Sequence, residues 1–186
     1  MSAAGHIDPS NKKVALLIAL LALVLALSET LGKSAQTAVL SYNIEASNLW
    51  SFFQAKTVRM TTLRTAAEGA QLEAPAATGE ARAAYDKQIE AWKKAAARYE
   101  SESETNEGRK ELAARAKSAE EKRDRSLAAY HLYEVASGAV QVGIVLASAA
   151  IITSVMALAW IGVGLGVIGL VLVLVGPLAP TTVHLF

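Results

Sequence analysis

The fold is decided by residues Val135–Phe186, VASGAVQVGIVLASAAIITSVMALAWIGVGLGVIGLVLVLVGPLAPTTVHLF, which contain no Asp, Glu, Lys or Arg. A charge-free run of 52 residues excludes a single soluble globule, because one bilayer crossing needs only about 20 apolar residues. The run therefore predicts two antiparallel membrane spans, roughly Glu134–Ser154 and Trp160–Leu178. Hydroxyl and indole side chains place the turn near Thr153–Trp160, and Pro177 is expected to end the last helix.

A third apolar run, Val14–Gly32, lies near the start of the chain, where only Glu29 is charged. At about 1.5 Å per residue it reaches roughly 28 Å, which is close to the thickness of the hydrocarbon core. The basic pair Lys12-Lys13 before an apolar run is also typical of a signal peptide. Because this run is longer than a usual signal core, we predict a retained first span.

The charges are concentrated between the spans, since 31 of the 35 charged residues lie in Lys33–Glu134. Lys33–Tyr130 carries 16 basic and 14 acidic residues. This near-balance does not provide the excess of positive charge that binding of nucleic acid requires. The chain has no cysteine, which excludes disulfides, thiolate metal ligands and cysteine nucleophiles. The middle of the chain is therefore predicted to face water.

The middle segment, 33–132, is predicted to be a helical stalk of three helices, at 33–69, 80–99 and 109–132. Polar residues and Pro75 mark the breaks between them. Apolar residues recur at three- and four-residue steps, as in the seam of a coiled coil. The seam residues are Val39, Tyr42, Leu49 and Phe53 on the first helix and Tyr85, Ile89 and Trp92 on the second. The third helix offers only the weaker set Leu112, Ala116, Ala119 and Leu127.

These patterns predict an all-α membrane protein with a long water-facing helical hairpin between spans 1 and 2. The expected divisions are a tail at 1–13, a span at 14–32, the stalk at 33–132, two spans within 133–178, and a tail at 179–186. Each stalk helix offers only a narrow apolar stripe, which favours completion of the seam by a second copy. A monomeric three-helix bundle is the alternative.

The third span is rich in glycine, and Gly162, Gly166 and Gly169 are predicted to pack against another helix. The pattern that begins at Gly164 also reads as a dinucleotide-binding fingerprint. That motif requires a preceding strand and a solvated helix start, so a membrane span excludes it. Gln141, inside the second span, is expected to bond across a helix interface rather than to line a pore.

The polar residues nearest the bilayer boundary are Glu29, His131 and Glu134. Glu29 stands four residues before Lys33, so a helical ion pair is its simplest role. His131 has Glu134 three residues on, and packing of the first two spans would bring Glu29 to the same level. The cluster then has two interpretations, interfacial hydrogen bonding or metal and proton handling; we expect the first, with no cofactor.

Three stretches carry a family resemblance: NKKVALLIALLALVLALSETLGKSAQT at Asn11–Thr37, EASNLWSFFQAKTVR at Glu45–Arg59 and QVGIVLASAAI at Gln141–Ile151. They resemble domain-of-unknown-function family 4337, small membrane proteins of proteobacteria. The family often has a basic turn between its last two spans, whereas Thr153–Trp160 has no basic residue. The resemblance implies a bacterial inner-membrane protein and brings no catalytic residues with it.

No nucleophile–base set, phosphate-binding loop or catalytic carboxylate pair is evident in the stalk, so we do not expect an enzyme. The predicted function is that of a structural or scaffolding element that self-assembles in the lipid bilayer, with an accessory role in a larger membrane complex as one option. A pore-forming or transport element is the alternative. Lys12-Lys13 favour a cytoplasmic N-terminus, whereas the basic residues of the stalk, Lys33, Lys122, Arg123 and Arg125, favour a cytoplasmic stalk. The family's basic turn decides between them, and we predict a cytoplasmic N-terminus and a periplasmic stalk.

Overall fold

The computed structural model describes residues 9–178 and 180, with side chains from Asn11 onward. The described chain is helical apart from short connections: α1 is Pro9–Glu73, α2 is Gly79–Glu100, α3 is Arg109–Thr153 and α4 is Met156–Leu178, and a 3-10 turn at Ala74–Ala76 follows α1. Three of these helices, α1, α3 and α4, are long and apolar enough to cross a membrane. The all-α class with three candidate spans is therefore confirmed.

The chain divides into two compact units. The apolar unit consists of the described chain up to Leu40 and from Arg123 onward, and the charged unit is Ser41–Lys122. The charged unit holds 26 of the 35 charged residues. The unit boundary lies beyond the predicted span ends at 32 and 133, because Ala35 and Ala129 still pack against Tyr133. Alanines at these positions keep the helices close past the last apolar turn.

Two connections differ from the predicted ones. The turn between α3 and α4 is only Ser154 and Val155, so Trp160 lies inside α4 rather than in the turn. Ser154 adopts a positive φ of 60°, which reverses the chain within two residues. Helix α1 ends at Glu73, four residues past the predicted Gly69, where the 3-10 turn containing Pro75 begins.

The predicted terminal tails are only partly described. Helix α1 begins at Pro9, a residue suited to a first helical turn, so part of the predicted tail at 1–13 is helical. Helix α4 continues through Pro177 and ends one residue later. Residues 1–8 and, apart from Pro180, the predicted tail at 179–186 lie outside the described residues.

The core of the charged unit contains two of the predicted seam residues, Leu49 and Ile89. Helix α1 contributes Ala46 and Leu49, and α3 contributes Leu112, Ala116 and Ala119, which are 2%, 0% and 2% exposed. A second cluster joins Ala67 to Ile89 of α2. Three residues of the weak set on α3 are thus buried, because alanine lets two helices approach closely, whereas Leu127, which belongs to the apolar unit, is 39% exposed. Leu49 and Ile89 are buried, and Val39, Tyr42, Phe53, Tyr85 and Trp92 are half-buried.

Candidate functional site: a polar groove and an uncharged helix face

The three predicted packing glycines are buried within the apolar unit. A Cβ on Gly162 would lie 2.9 Å from the backbone oxygen of Gly143, a contact that no rotamer change relieves. A Cβ on Gly166 would collide with the end of the Leu21 side chain, and one on Gly169 with Val140. Helix α4 therefore uses this glycine face against both α1 and α3.

Two further glycines of this packing were not singled out from the sequence. Gly143 is the backbone partner of Gly162, and Gly176 lies against the ring of Tyr133, where a Cβ would be 2.5 Å from Cε1. The spacing of Gly143 and Ala147, four residues apart on α3, is a small-residue signal that could have identified the first of them. The contact of Gly176 has no such signal.

A polar groove lies between α1 and α3 of the apolar unit, where the apolar runs end. It has a volume of about 530 Å³. Its lining is Ser28, Glu29, Gly32, Lys33, Gln36, Tyr130, Tyr133, Glu134, Ser137, Gly138 and Gln141. Ser28, which sequence reasoning missed, is fully buried at its base and donates a 2.8 Å hydrogen bond to the carbonyl oxygen of Tyr133.

Gln141 is exposed in this groove, and its amide donates to the Glu29 carboxylate over 3.4 Å. This hydrogen bond joins the first two candidate spans. The predicted ion pair of Glu29 with Lys33 is not formed among the described residues. The amide of Gln141 bonds the carboxylate from the neighbouring helix instead.

The polar residues predicted near the boundary are only partly brought together. Glu29 and Glu134 both line the groove, whereas His131 does not. The imidazole of His131 lies 3.8 Å from the Glu134 carboxylate, one turn along α3. Within the described part of the chain, no group of three His, Cys, Asp or Glu residues is arranged to hold a metal ion.

Arg109 connects all three helices of the charged unit. Its guanidinium donates to Thr57 at 2.8 Å and to Glu100 at 3.0 Å, and it lies 4.8 Å from the centre of the Phe53 ring. Thr57 and Phe53 are on α1 and Glu100 is the last residue of α2. Sequence reasoning missed this residue because nothing in a charge-rich segment distinguishes one arginine from its neighbours.

The connection between α2 and α3 is held by carboxylates. Ser101 donates a 2.5 Å hydrogen bond to Glu111, which lowers the pKa of the Glu111 carboxyl. Arg98 bonds Glu102 and lowers its pKa in the same way. Gly108 is buried where a Cβ would collide with Glu111 and with the backbone of Glu102. This loop therefore has a defined structure with no room for a side chain at Gly108.

One face of α1 in the charged unit carries no charge. We call it the uncharged face; its exposed residues are Ile44, Ser47, Ser51, Ala55, Val58, Thr62 and Thr65. These positions fall within about 80° of arc on a helix. Ile44 and Val58 are 61% and 66% exposed, and the nearest charges on α1 itself, Glu45 and Arg59, lie along one edge. Glu107 and Arg115 line a pocket together with Ile44. A solvated helix face normally carries charges, so the absence of charge distinguishes this face from the other exposed surfaces of the charged unit.

Comparison with known proteins identifies the family. A family model described as a domain of unknown function, DUF4337, matches residues 10–179. No curated protein and no solved structure matches the chain significantly. The matched region includes all four helices except the first residue of α1. It therefore contains both the polar groove and the uncharged face. The chain belongs to the DUF4337 family.

Proposed function

We propose that this protein is a non-enzymatic, self-assembling structural element of the bacterial inner membrane, in which the uncharged face of α1 binds a second copy. The single observation that carries the proposal is the exposure of this charge-free, partly apolar stripe in the unit that holds most of the charges. The predicted coiled-coil seam does not carry it, because α2 and α3 of the same chain already pack against that seam.

A second copy suits the uncharged face for an electrostatic reason. Copies inserted in one bilayer with the same orientation present α1 in the same direction, so two α1 helices meet in parallel. Identical residues then oppose one another across a two-fold axis, and any charge on the face would meet its own copy. The stripe has a seven-residue spacing at Ile44, Ser51 and Val58, which is the repeat that two parallel helices require.

The test is the substitution Ala55→Glu, which places a charge halfway along the length of the face. Like charges would then oppose each other at the interface, and the dimer should weaken at least about tenfold, equivalent to ~1.4 kcal/mol. Native mass spectrometry of the full chain from mild detergent measures the ratio of monomer to oligomer.

Ala91→Glu is the matched control, because Ala91 is also an exposed helical alanine but lies on α2. This variant should assemble as the wild type does. A wild-type chain that stays monomeric at micromolar concentration would contradict the proposal. So would an Ala55→Glu variant that assembles unchanged.

The alternative function, a pore or transport element, is favoured by one observation, the hydrogen bond between Glu29 and Gln141 on two candidate spans. Conductance of the protein reconstituted in liposomes distinguishes the two functions. Under the structural proposal no selective current is expected. A selective current that is lost in Gln141→Leu would replace it with the transport function.

A further inference from the structure

The polar groove of the apolar unit has room because two glycines line it. A Cβ on Gly138 would have no atom within 4 Å, and one on Gly32 would meet only the Cβ of Tyr133 at 3.5 Å. Unlike Gly162, Gly166 and Gly169 of α4, Gly138 therefore leaves space that no neighbouring helix fills. The volume of about 530 Å³ lies within the range of small-ligand sites, about 300–1,000 Å³.

The charges in the groove are unbalanced. Two carboxylates, Glu29 and Glu134, line it together with one ammonium group, Lys33. Glu134 has His131 beside it at 3.8 Å, whereas the hydrogen-bond partner of Glu29 is the neutral amide of Gln141. An ionised carboxylate at the end of an apolar span is costly unless a cation compensates it. The groove thus offers two carboxylates to an external cation.

We propose that this groove binds the headgroup of an ethanolamine phospholipid, with the carboxylates of Glu29 and Glu134 accepting hydrogen bonds from its ammonium group and Lys33 pairing with its phosphate. This ligand has both charges that the groove complements, and the bilayer supplies it at the level where the apolar runs end. A choline headgroup has no N–H to donate, and a glycerol headgroup has no cation. The proposal does not depend on self-assembly.

The experiment titrates the full chain in mild detergent with ethanolamine, choline and glycerol phospholipids of identical acyl chains. Native mass spectrometry counts the bound lipid. The wild type should bind the ethanolamine lipid about tenfold more tightly than the choline lipid, as a charge-assisted hydrogen bond would give. Equal affinity for the two, or a preference for the glycerol lipid, would overturn the proposal.

Gly138→Leu fills the groove and should abolish the preference, because the new side chain takes the space of the headgroup. Gly164→Leu is the matched control: Gly164 is also a helical glycine with nothing within 4 Å of its Cβ, but it lies on α4 outside the groove. The control should retain the preference. A preference that survives in Gly138→Leu would place the bound lipid elsewhere and overturn the assignment.

Glu29→Gln provides a second measurement that leaves the volume of the groove unchanged. It should bring the affinity for the ethanolamine lipid down to that for the choline lipid, and an unchanged ratio would contradict the role of the carboxylate. Free phosphoethanolamine is the remaining probe. If it bound as tightly as the lipid, the ligand would be a soluble amine, and the lipid assignment would be wrong.

The outcome is distinguishable from that of the self-assembly experiment. The Ala55→Glu variant, disrupted at the uncharged face, should retain the full lipid preference, because Ala55 belongs to the charged unit and the groove to the apolar unit. A lipid preference lost only in Ala55→Glu would show that the lipid binds at the assembly interface, which would overturn the groove assignment.

Discussion

Arg109 shows how much one residue does in the charged unit. Its guanidinium binds Thr57 of α1 and Glu100 of α2 from the first residue of α3, and it covers the Phe53 ring. Its side chain is only 20% exposed, so both the charge and the methylene stem are largely removed from water. Removal of the charge would leave Glu100 with the more exposed Arg64 at 3.4 Å.

We expect Arg109→Met to destabilise the charged unit by about 1–3 kcal/mol, because a partly buried, hydrogen-bonded ion pair loses one partner. Denaturant unfolding of the full chain in detergent, followed by tryptophan fluorescence, measures the change. Trp50 and Trp92 report on the charged unit.

Arg115→Met is a suitable control, since Arg115 is exposed and donates a hydrogen bond to the backbone oxygen of Asn106 at 3.3 Å. Its effect should stay within about 0.5 kcal/mol. If both variants unfolded at the same denaturant concentration as the wild type, the connecting role of Arg109 would be refuted.

The two faces of helix α4 cannot be distinguished from its sequence, because apolar residues cover both the face that packs against protein and the face that contacts lipid. Gly162, Gly166 and Gly169 are buried, whereas Gly164 is exposed. The face is decided by the partners: Gly143 provides a backbone oxygen, and Leu21 and Val140 provide side chains. Close approach of backbones at such positions is how membrane helices gain packing energy.

Leucine substitutions along α4 should rank according to what the new side chain meets. Gly162→Leu should cost about 1–3 kcal/mol or more, because the backbone oxygen of Gly143 cannot move away. Gly166→Leu should cost less, since the end of the Leu21 side chain can change rotamer. Gly164→Leu should be neutral, and thermal unfolding in detergent gives the ranking.

An equal loss in all three leucine variants would show that glycine matters here for helix flexibility and not for packing. The reverse ranking, with Gly164→Leu the most damaging, would place lipid on the face that the structure buries. Circular dichroism checks that each variant keeps its helical content before the melting temperatures are compared.

At the scale of the whole molecule, the orientation of the charged unit in the membrane can be tested directly, because the chain has no native cysteine. Ser103 is exposed in the loop between α2 and α3. With a periplasmic charged unit, Ser103→Cys should react with a membrane-impermeant maleimide in intact cells. Reaction only after lysis would reverse the orientation.

Ser154→Cys is the companion measurement, because Ser154 is exposed in the turn between α3 and α4. If α3 crosses the bilayer, this turn and the loop at Ser103 lie on opposite sides. Ser154→Cys should therefore react only after lysis. Labelling of both positions from the outside would contradict a membrane crossing by α3.

The helical class, the three candidate spans and the breaks near Pro75 and before Arg109 were all predictable from the amino-acid sequence. Hydropathy and the spacing of apolar residues are local properties of the chain. A long charge-free run can form few structures other than a membrane helix. The turn at Ser154 was shorter than expected because a positive φ at a serine leaves no clear mark in sequence.

The contacts between helix faces, in contrast, became known from the tertiary structure. It showed that Leu112, Ala116 and Ala119 of α3 pack against Ala46 and Leu49 of α1, whereas a different, charge-free face of α1 is exposed. It also paired Glu29 with Gln141 rather than with Lys33 and opened the groove at Gly138. These features depend on contacts between residues up to 112 positions apart, and a pattern along one helix does not encode its neighbour.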